Sequence, residues 1–202
     1  ISQIVTLCQE AIDYGFASVC VNPIWVSICA EHLEKHPVDV CTVVGFPLGA
    51  HTTAIKVTET EQALRDGARE IDMVLTIGWL KSGYFDQVFQ DIQAVVKTAA
   101  PHPVKVILET CLLTDAEKAA ACVISGEAGA AFVKTSTGFS KAGATIRDVR
   151  LMRAIVGSRM GVKAAGGIRD KQTALEMLKA GANRLGASSG VHIIQTFKDK
   201  SQ

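Results

Sequence analysis

The chain has 202 residues, 48% of them hydrophobic and 20% charged, which is typical of a globular protein rather than a disordered one. Its 21 Lys and Arg nearly balance its 20 Asp and Glu, so the charge gives no reason to expect nucleic acid as a partner. No apolar run approaches the roughly 20 residues of a membrane span, and no leader pattern stands out. We therefore expect one cytoplasmic domain over residues 1–202, without a membrane partner.

The cysteines and histidines give no sign of a metal centre or a disulfide framework. Six cysteines are dispersed along the chain without a CxxC motif, which is typical of reduced, mostly buried thiols. His32 and His36 have the spacing of two ligands on one helix face, but no third ligand follows them, and a solvated helix face is the simpler interpretation. The sequence predicts no metal and no other cofactor.

Helical and strand-like segments alternate along the chain. Helical periodicity begins at Ile4 and ends at Gly15. Further helices are predicted over Ile24–Lys35, Thr53–Asp66, Phe85–Ala99, Asp115–Ala128, Ile146–Val156, Lys171–Ala180 and Val191–Phe197. Short apolar, β-branched runs predict strands over Phe16–Val21, Val38–Val44, Glu70–Leu75, Val104–Glu109, Ala131–Thr135, Val162–Ala165 and Asn183–Gly186.

This alternation predicts a parallel sheet, because crossover helices are the usual link between parallel strands. The strands lack a polar face, as expected when helices cover one side of the sheet and a barrel core fills the other. No GxGxxG turn follows the first strand, which disfavours a dinucleotide-binding sheet. A (β/α)8 barrel usually needs about 250 residues and begins with a strand. We therefore expect an α/β protein, a (β/α)8 TIM barrel that lacks the first strand in this sequence.

Two lysines stand inside apolar strands, where lysine is rare. Lys134 lies in AAFVKTSTGF and Lys163 in MGVKAAGGIR, on successive strands. Either each forms a buried ion pair or reaches the rim, or the two amines lie about 6 Å apart inside the barrel. Their repulsion of about 3 kcal/mol would then lower the pKa of one amine and make it a nucleophile for a carbonyl. By contrast, Lys105 is predicted to lie at the entry end of its strand.

Three further side chains are candidates for the same site. Asp72 alternates with Ile71 and Met73 and is either a structural partner of the lysines or a proton carrier. Glu109 ends its strand and is predicted to be a network partner. Cys20 is expected to be packed in the core, or, if it lines a pocket, to be open to aldehydes and oxidants.

Glycine-rich segments follow three consecutive strands and predict a phosphate site. Barrels often bind phosphate in the loops after the seventh and eighth strands, where backbone amides and helix N-termini face the anion. The expected phosphate ligands are Thr135, Gly138, Gly166, Gly167, Gly186, Ser188 and Ser189.

In combination, several of these segments resemble the 2-deoxyribose-5-phosphate aldolases. They are FVKTSTGF, VKAAGGIR, GASSG, CTVVGFPLGA, EIDMV, VKVILET and GFASVCVNP, and the matching region runs from about Leu7 to Gly190. The resemblance implies a metal-free class I aldolase that cleaves 2-deoxy-D-ribose 5-phosphate to acetaldehyde and D-glyceraldehyde 3-phosphate. It implies that Lys134 forms the Schiff base, Lys163 tunes it, and Asp72 relays protons.

The resemblance also implies a role in deoxyribonucleotide catabolism, with sugar phosphates and aldehydes as small-molecule partners and a dimer or tetramer as the assembly. Members of this family begin with a strand of the type IDHTLL, whereas this sequence starts in the following helix. Two alternatives therefore stay open. One is a catalytically weak fragment that binds phosphometabolites, and the other is a related Schiff-base aldolase with a larger donor.

Overall fold

A computed structural model describes residues 1–198 and confirms the alternation of helices and strands. The strands are β1 Ser18–Val21, β2 Asp39–Val44, β3 Glu70–Val74, β4 Val104–Ile107, β5 Phe132–Lys134, β6 Gly161–Ala165 and β7 Arg184–Gly186. The helices are α1 Ser2–Tyr14, α2 Val26–Leu33, α3 Thr53–Arg65, α4 Ile77–Lys81, α5 Phe85–Ala99, α6 Asp115–Glu127, α7 Ile146–Val156, α8 Lys171–Lys179 and α9 Gly190–Lys198. No helix within these residues is long and apolar enough to cross a membrane.

The seven strands form one sheet in the order in which they occur along the chain, and each neighbouring pair is parallel. The sheet curls on itself, so that its first and last strands approach each other. Arg184 on β7 donates a hydrogen bond to Ser18 on β1 at 3.4 Å. On the outer layer, Gln195 of α9 donates to the Tyr14 hydroxyl of α1 at 2.7 Å. Seven parallel strands with alternating helices confirm the predicted TIM-barrel-like architecture, with β1 and β7 at its two edges over the described residues.

Three local features differ from the sequence prediction. The predicted helix over Ile24–Lys35 begins instead as a 3-10 turn, Pro23–Trp25, and continues as the α2 helix. Because α2 ends at Leu33, His36 lies beyond it and does not share a helix face with His32. Helix α4 was not predicted, since a five-residue helix is too short to show a hydrophobic period.

A buried ion pair outside the barrel fixes the carboxyl end of β3. The ammonium of Lys56 on α3 donates to the Asp91 carboxylate of α5 at 2.6 Å, to Thr76 Oγ1 at 2.6 Å and to the Val74 carbonyl at 3.1 Å. The Lys56 and Asp91 side chains are almost completely buried. Because Val74 ends β3, this network holds in place the strand that carries Asp72.

Candidate active site

Charged side chains from four neighbouring strands meet on the inside of the curled sheet. Asp72 on β3 is directly paired with Lys105 on β4, and Lys134 on β5 is directly paired with Lys163 on β6. All four residues are at least 95% buried. Since residues that are paired in register point to the same face, the strand register brings these charges together from distant parts of the sequence.

The Asp72 carboxylate connects the three lysines. Asp72 Oδ2 accepts hydrogen bonds from Lys134 Nζ at 2.6 Å and from Lys163 Nζ at 2.7 Å. Its other oxygen, Oδ1, accepts from Lys105 Nζ at 3.0 Å and from the Cys41 thiol at 3.2 Å. Both lysines that the sequence singled out therefore bind the same oxygen of the predicted proton carrier.

Lys105 lies at the entry end of β4, as predicted, but it is also a member of this cluster, which the sequence interpretation did not foresee. Its ammonium binds Asp72 and also Glu70 Oε2 at 2.9 Å, and Arg184 reaches the same Glu70 carboxylate at 3.3 Å. Although the Cα atom of Lys105 lies near the entry end of β4, its long side chain reaches Asp72. We call these six residues the barrel cluster: Glu70, Asp72, Lys105, Lys134, Lys163 and Arg184.

Attraction between opposite charges outweighs the effect of burial on the pKa values of Asp72 and Lys163. Burial raises the pKa of the Asp72 carboxyl, but Lys134, Lys163 and Lys105 together hold it well below its usual range. Burial lowers the pKa of the Lys163 ammonium, yet Asp72, with the thiols of Cys41 and Cys20, leaves it raised. The expected repulsion between the two strand lysines is therefore countered by the carboxylate that lies between them.

These shifts predict how the fold responds to acid. The pKa of Asp72 is lowered by folding, so its contribution to stability is present above the unfolded value near 3.9 and is lost as the pH falls towards the folded value. Urea unfolding between about pH 3 and pH 6 should show stability falling more steeply in the wild type than in Asp72→Asn. Equal slopes for the two proteins would contradict the shift.

Glu109 shapes the loop that follows Lys134. Its carboxylate is buried and accepts hydrogen bonds from the Thr137 hydroxyl and from the Thr137 amide, the latter at 3.3 Å. Its backbone is left-handed, with φ 55°, an unusual conformation for a residue with a side chain. Glu109 therefore contacts the TSTGF loop, which begins directly after β5.

The loops after β5 and β6 are packed against each other by glycines. The Ala144 amide donates to the Gly166 carbonyl at 3.0 Å, and a side chain at Gly143 would meet that carbonyl oxygen at 2.2 Å. Gly166 and Gly167 have φ of 88° and 79°, a left-handed conformation that favours glycine. The Ser136 hydroxyl is buried beside this junction and has no hydrogen-bond partner within the described residues.

The other predicted phosphate ligands have different surroundings. The Thr135 hydroxyl donates to the Ala165 carbonyl at 2.9 Å and accepts from the Ala165 amide at 3.0 Å, so it joins β5 to β6. Gly138 has open space around its Cα, and Ser188 and Ser189 directly precede α9. A side chain at Gly186 would lie 3.2 Å from Lys163 Cε, which indicates that this glycine makes room for the lysine.

Cys20 is exposed, on the same face of the sheet as Asp72, so the expectation that it is packed in the core was wrong. It is paired in register with Cys41, and its sulfur lies close to both the Cys41 sulfur and the Asp72 carboxylate. A hydrogen bond with the Cys41 thiol is the main reason why the pKa of Cys20 is lowered to about 7. The depressions at the opposite, amino ends of the strands contain none of the predicted site residues.

Comparisons with known proteins identify the family of the chain. Residues 1–196 match the model of the DeoC/LacD family aldolases. A deoxyribose-phosphate aldolase from Clostridium tetani is 57% identical over 197 residues, which cover 97% of this chain and 91% of the relative. Deoxyribose-phosphate aldolase 1 from Bacillus licheniformis is 58% identical over 195 residues, covering 96% and 87%.

Solved structures show the same likeness. A putative deoxyribose-phosphate aldolase from Coccidioides immitis superposes with a TM-score of 0.95 at 48% identity, covering 98% of this chain and 79% of that one. The enzyme from Aeropyrum pernix, described as tetrameric, superposes with a TM-score of 0.91 at 35% identity, covering 98% and 84%. The chain belongs to the DeoC/LacD family of aldolases.

Proposed function

We propose that this protein is a deoxyribose-phosphate aldolase, a carbon–carbon lyase. It reversibly cleaves 2-deoxy-D-ribose 5-phosphate to acetaldehyde and D-glyceraldehyde 3-phosphate through a Schiff base on Lys134. The observation that carries this proposal is the sharing of one Asp72 oxygen by Lys134 and Lys163 inside a sheet of the aldolase fold. Relatives named deoxyribose-phosphate aldolase, 57% identical over nearly the whole chain, indicate the substrate.

The charge balance of the barrel cluster leaves room for one lysine to act as a free amine. The cluster has four cationic side chains, Lys105, Lys134, Lys163 and Arg184, against the two carboxylates of Glu70 and Asp72. When Lys134 gives up its proton, Lys163 and Lys105 still neutralise Asp72, so no carboxylate is left unpaired.

The reaction follows from the positions of these groups. The Lys134 amine adds to the C1 aldehyde of the open sugar, and loss of water gives an iminium that withdraws electrons from C2. Ionised Asp72, acting directly or through a water, accepts the proton of the C3 hydroxyl. The C2–C3 bond then breaks, and D-glyceraldehyde 3-phosphate leaves. Protonation of the remaining enamine at C2 and hydrolysis release acetaldehyde and restore the amine.

The loops after β5, β6 and β7 form the proposed phosphate grip. Gly138 and Gly167 have free space above their backbones, and the buried Ser136 hydroxyl lacks a partner beside Gly166. An anion in this place would gain backbone amides, the N-terminus of α9 and the hydroxyls of Ser188 and Ser189. The proposal needs no metal or organic cofactor.

A direct assay tests the function. Purified protein is mixed with 2-deoxyribose 5-phosphate, and acetaldehyde is measured by its reduction with a coupled alcohol dehydrogenase. We expect release at a rate that saturates with the sugar phosphate and is lower with unphosphorylated deoxyribose. Binding of the sugar phosphate in a calorimeter without acetaldehyde release would contradict the proposal and indicate a silent binding protein. Cleavage that yields a ketone would indicate a different donor.

Gly186→Ala should slow the reaction without abolishing it. The added methyl group would approach Lys163 Cε to 3.2 Å and Ala165 Cβ to 3.1 Å, so the lysine must shift. We expect kcat to fall by about tenfold, because a displacement of this size disturbs the contact between Lys163 and Asp72. Gly126→Ala, on the outer helix α6, serves as a control for mutation of a glycine, because its added methyl group would make only an ordinary 3.7 Å contact with Met160. Unchanged kcat in Gly186→Ala would contradict this assignment.

Assembly and location complete the proposal. We propose that the protein acts as a homo-oligomer in the cytoplasm and in the breakdown of deoxyribonucleotides. The tetrameric description of the Aeropyrum pernix relative supports an assembly of this kind. Light scattering coupled to size-exclusion chromatography tests it, and a mass equal to one chain at micromolar concentration would contradict it.

A further inference from the structure

Two thiols and one carboxylate converge on the inner surface of β1, β2 and β3. The sulfur atoms of Cys20 and Cys41 and a carboxylate oxygen of Asp72 all lie within 4.8 Å of one another. Cys20 and Cys41 are directly paired across neighbouring strands, and Cys41 is hydrogen-bonded to Asp72 Oδ1 at 3.2 Å. The proposed aldolase cycle uses Asp72 but neither of the thiols.

We propose that Cys20, Cys41 and Asp72 bind one thiophilic divalent cation, such as Zn²⁺ or Cd²⁺, and that the bound ion inhibits the enzyme. Thiolate ligands select soft cations over Mg²⁺ and Ca²⁺, which prefer oxygen ligands. The binding part of the proposal stands on the geometry alone. The inhibition part rests on the proposed function.

The distances suit such an ion. With Zn–S near 2.3 Å and Zn–O near 2.1 Å, tetrahedral geometry requires ligand atoms about 3.6 to 3.8 Å apart. The Cys41 sulfur and Asp72 Oδ1 need to separate by only a few tenths of an ångström from their 3.2 Å contact. The ion then takes the place of the thiol proton between them. Cys20 is exposed, so it gives the ion a path of entry and leaves a fourth position open to water.

The surrounding lysines do not oppose the ion. A divalent cation that displaces the protons of two thiols leaves the net charge of the site unchanged. Lys105 Nζ lies 3.7 Å from the Cys41 sulfur and 3.0 Å from Asp72 Oδ1. From there its ammonium stabilises the thiolate and holds the carboxylate as an outer-shell hydrogen-bond donor.

The bound ion would inhibit the reaction through one shared side chain, Asp72. Asp72 Oδ2 still contacts Lys134 and Lys163, but a cation on Oδ1 withdraws negative charge from the carboxylate. Asp72 then accepts the C3 hydroxyl proton less readily, and the ion occupies space beside Lys134. Substrate and ion should therefore exclude each other, or the ion should lower kcat.

Binding is tested first by spectroscopy on reduced, untagged protein. Cd²⁺ titration should produce the ultraviolet charge-transfer band of a cadmium thiolate, saturating at one ion per chain, while an excess of Mg²⁺ gives none. Cys41→Ala should abolish the band, and Cys20→Ser should lower the affinity for Cd²⁺ at least tenfold. Cys111→Ser, which changes a partly exposed thiol elsewhere, and Cys8→Ser, from a buried thiol pair, should retain it. No band in the wild type, or a band that survives in Cys41→Ala, would overturn the site.

Inhibition is tested separately. In the acetaldehyde assay, Zn²⁺ should inhibit the wild type over the range in which it displaces Cd²⁺, and a chelator should restore the rate. Each cysteine variant is compared with its own metal-free rate, and Cys41→Ala should have become at least tenfold less sensitive. A saturated band with full activity would overturn inhibition but leave the site. If the metal-free protein releases no acetaldehyde, the proposed function fails, while the spectroscopic result still decides the site.

Discussion

Lys134→Arg is expected to lower kcat by at least about 10⁴-fold, the scale of loss when a covalent catalyst is deprived of its nucleophile. The guanidinium keeps the positive charge beside Asp72, but it stays protonated at all accessible pH values and forms no Schiff base. The charge of the barrel cluster is thus preserved while its nucleophile is removed. The measurement is acetaldehyde release at saturating sugar phosphate.

Lys118→Arg is the matched control for this change. Lys118 is also a buried lysine, and it contacts the Asp148 carboxylate at the same 2.6 Å distance, but on the outer layer between α6 and α7. The control should keep nearly full activity, even if it loses some stability. If Lys134→Arg retains more than about a hundredth of the wild-type kcat while folded, Lys134 is not the nucleophile.

Asp72→Asn should lower kcat by about 10²- to 10⁴-fold, the usual contribution of a proton-transferring group. The amide keeps the shape of the side chain but neither accepts a proton nor neutralises the lysines. It also leaves Lys105, Lys134 and Lys163 without the carboxylate that they share, which should destabilise the fold by about 3 to 5 kcal/mol.

Asp148→Asn separates the two effects, because it breaks a comparable buried ion pair away from the cluster. We expect this variant to lose stability in urea but to keep its kcat. For Asp72→Asn, the pH–rate profile should also lose the fall in rate that protonation of the Asp72 carboxylate causes at low pH. If both variants lose activity only in proportion to their unfolded fraction, Asp72 has a structural role alone.

The fold could be predicted from the sequence because the strand, helix and turn patterns agreed with one another. β-branched runs, helical periods and Gly-Ala stops recur in strict alternation, and they place every strand to within two residues. The two site lysines were detectable because a charge inside an apolar strand is costly and therefore rarely accidental. Short elements such as α4 were not predicted, because five residues make little more than one helical turn and cannot show a repeating hydrophobic pattern.

The electrostatics of the site depended on register, which the sequence does not display. Lys105 was left out of the site because the reach of its four-carbon side chain becomes evident only when β4 is aligned with β3. Likewise, the lysine pair suggested repulsion, whereas Asp72 lies between the two amines and raises the pKa of Lys163. The role of Gly186 as space for Lys163 also required coordinates, since glycine in a loop suggested only contact with phosphate.

The most direct measurement is reductive trapping. The protein is incubated with acetaldehyde, reduced with borohydride, digested and mapped by mass spectrometry. The account predicts one stable ethyl adduct, on Lys134, absent when borohydride is omitted and absent in Lys134→Arg. An adduct on Lys163 or Lys105 instead, or no adduct in protein that turns over the sugar phosphate, would contradict the assignment of Lys134 as the Schiff-base lysine.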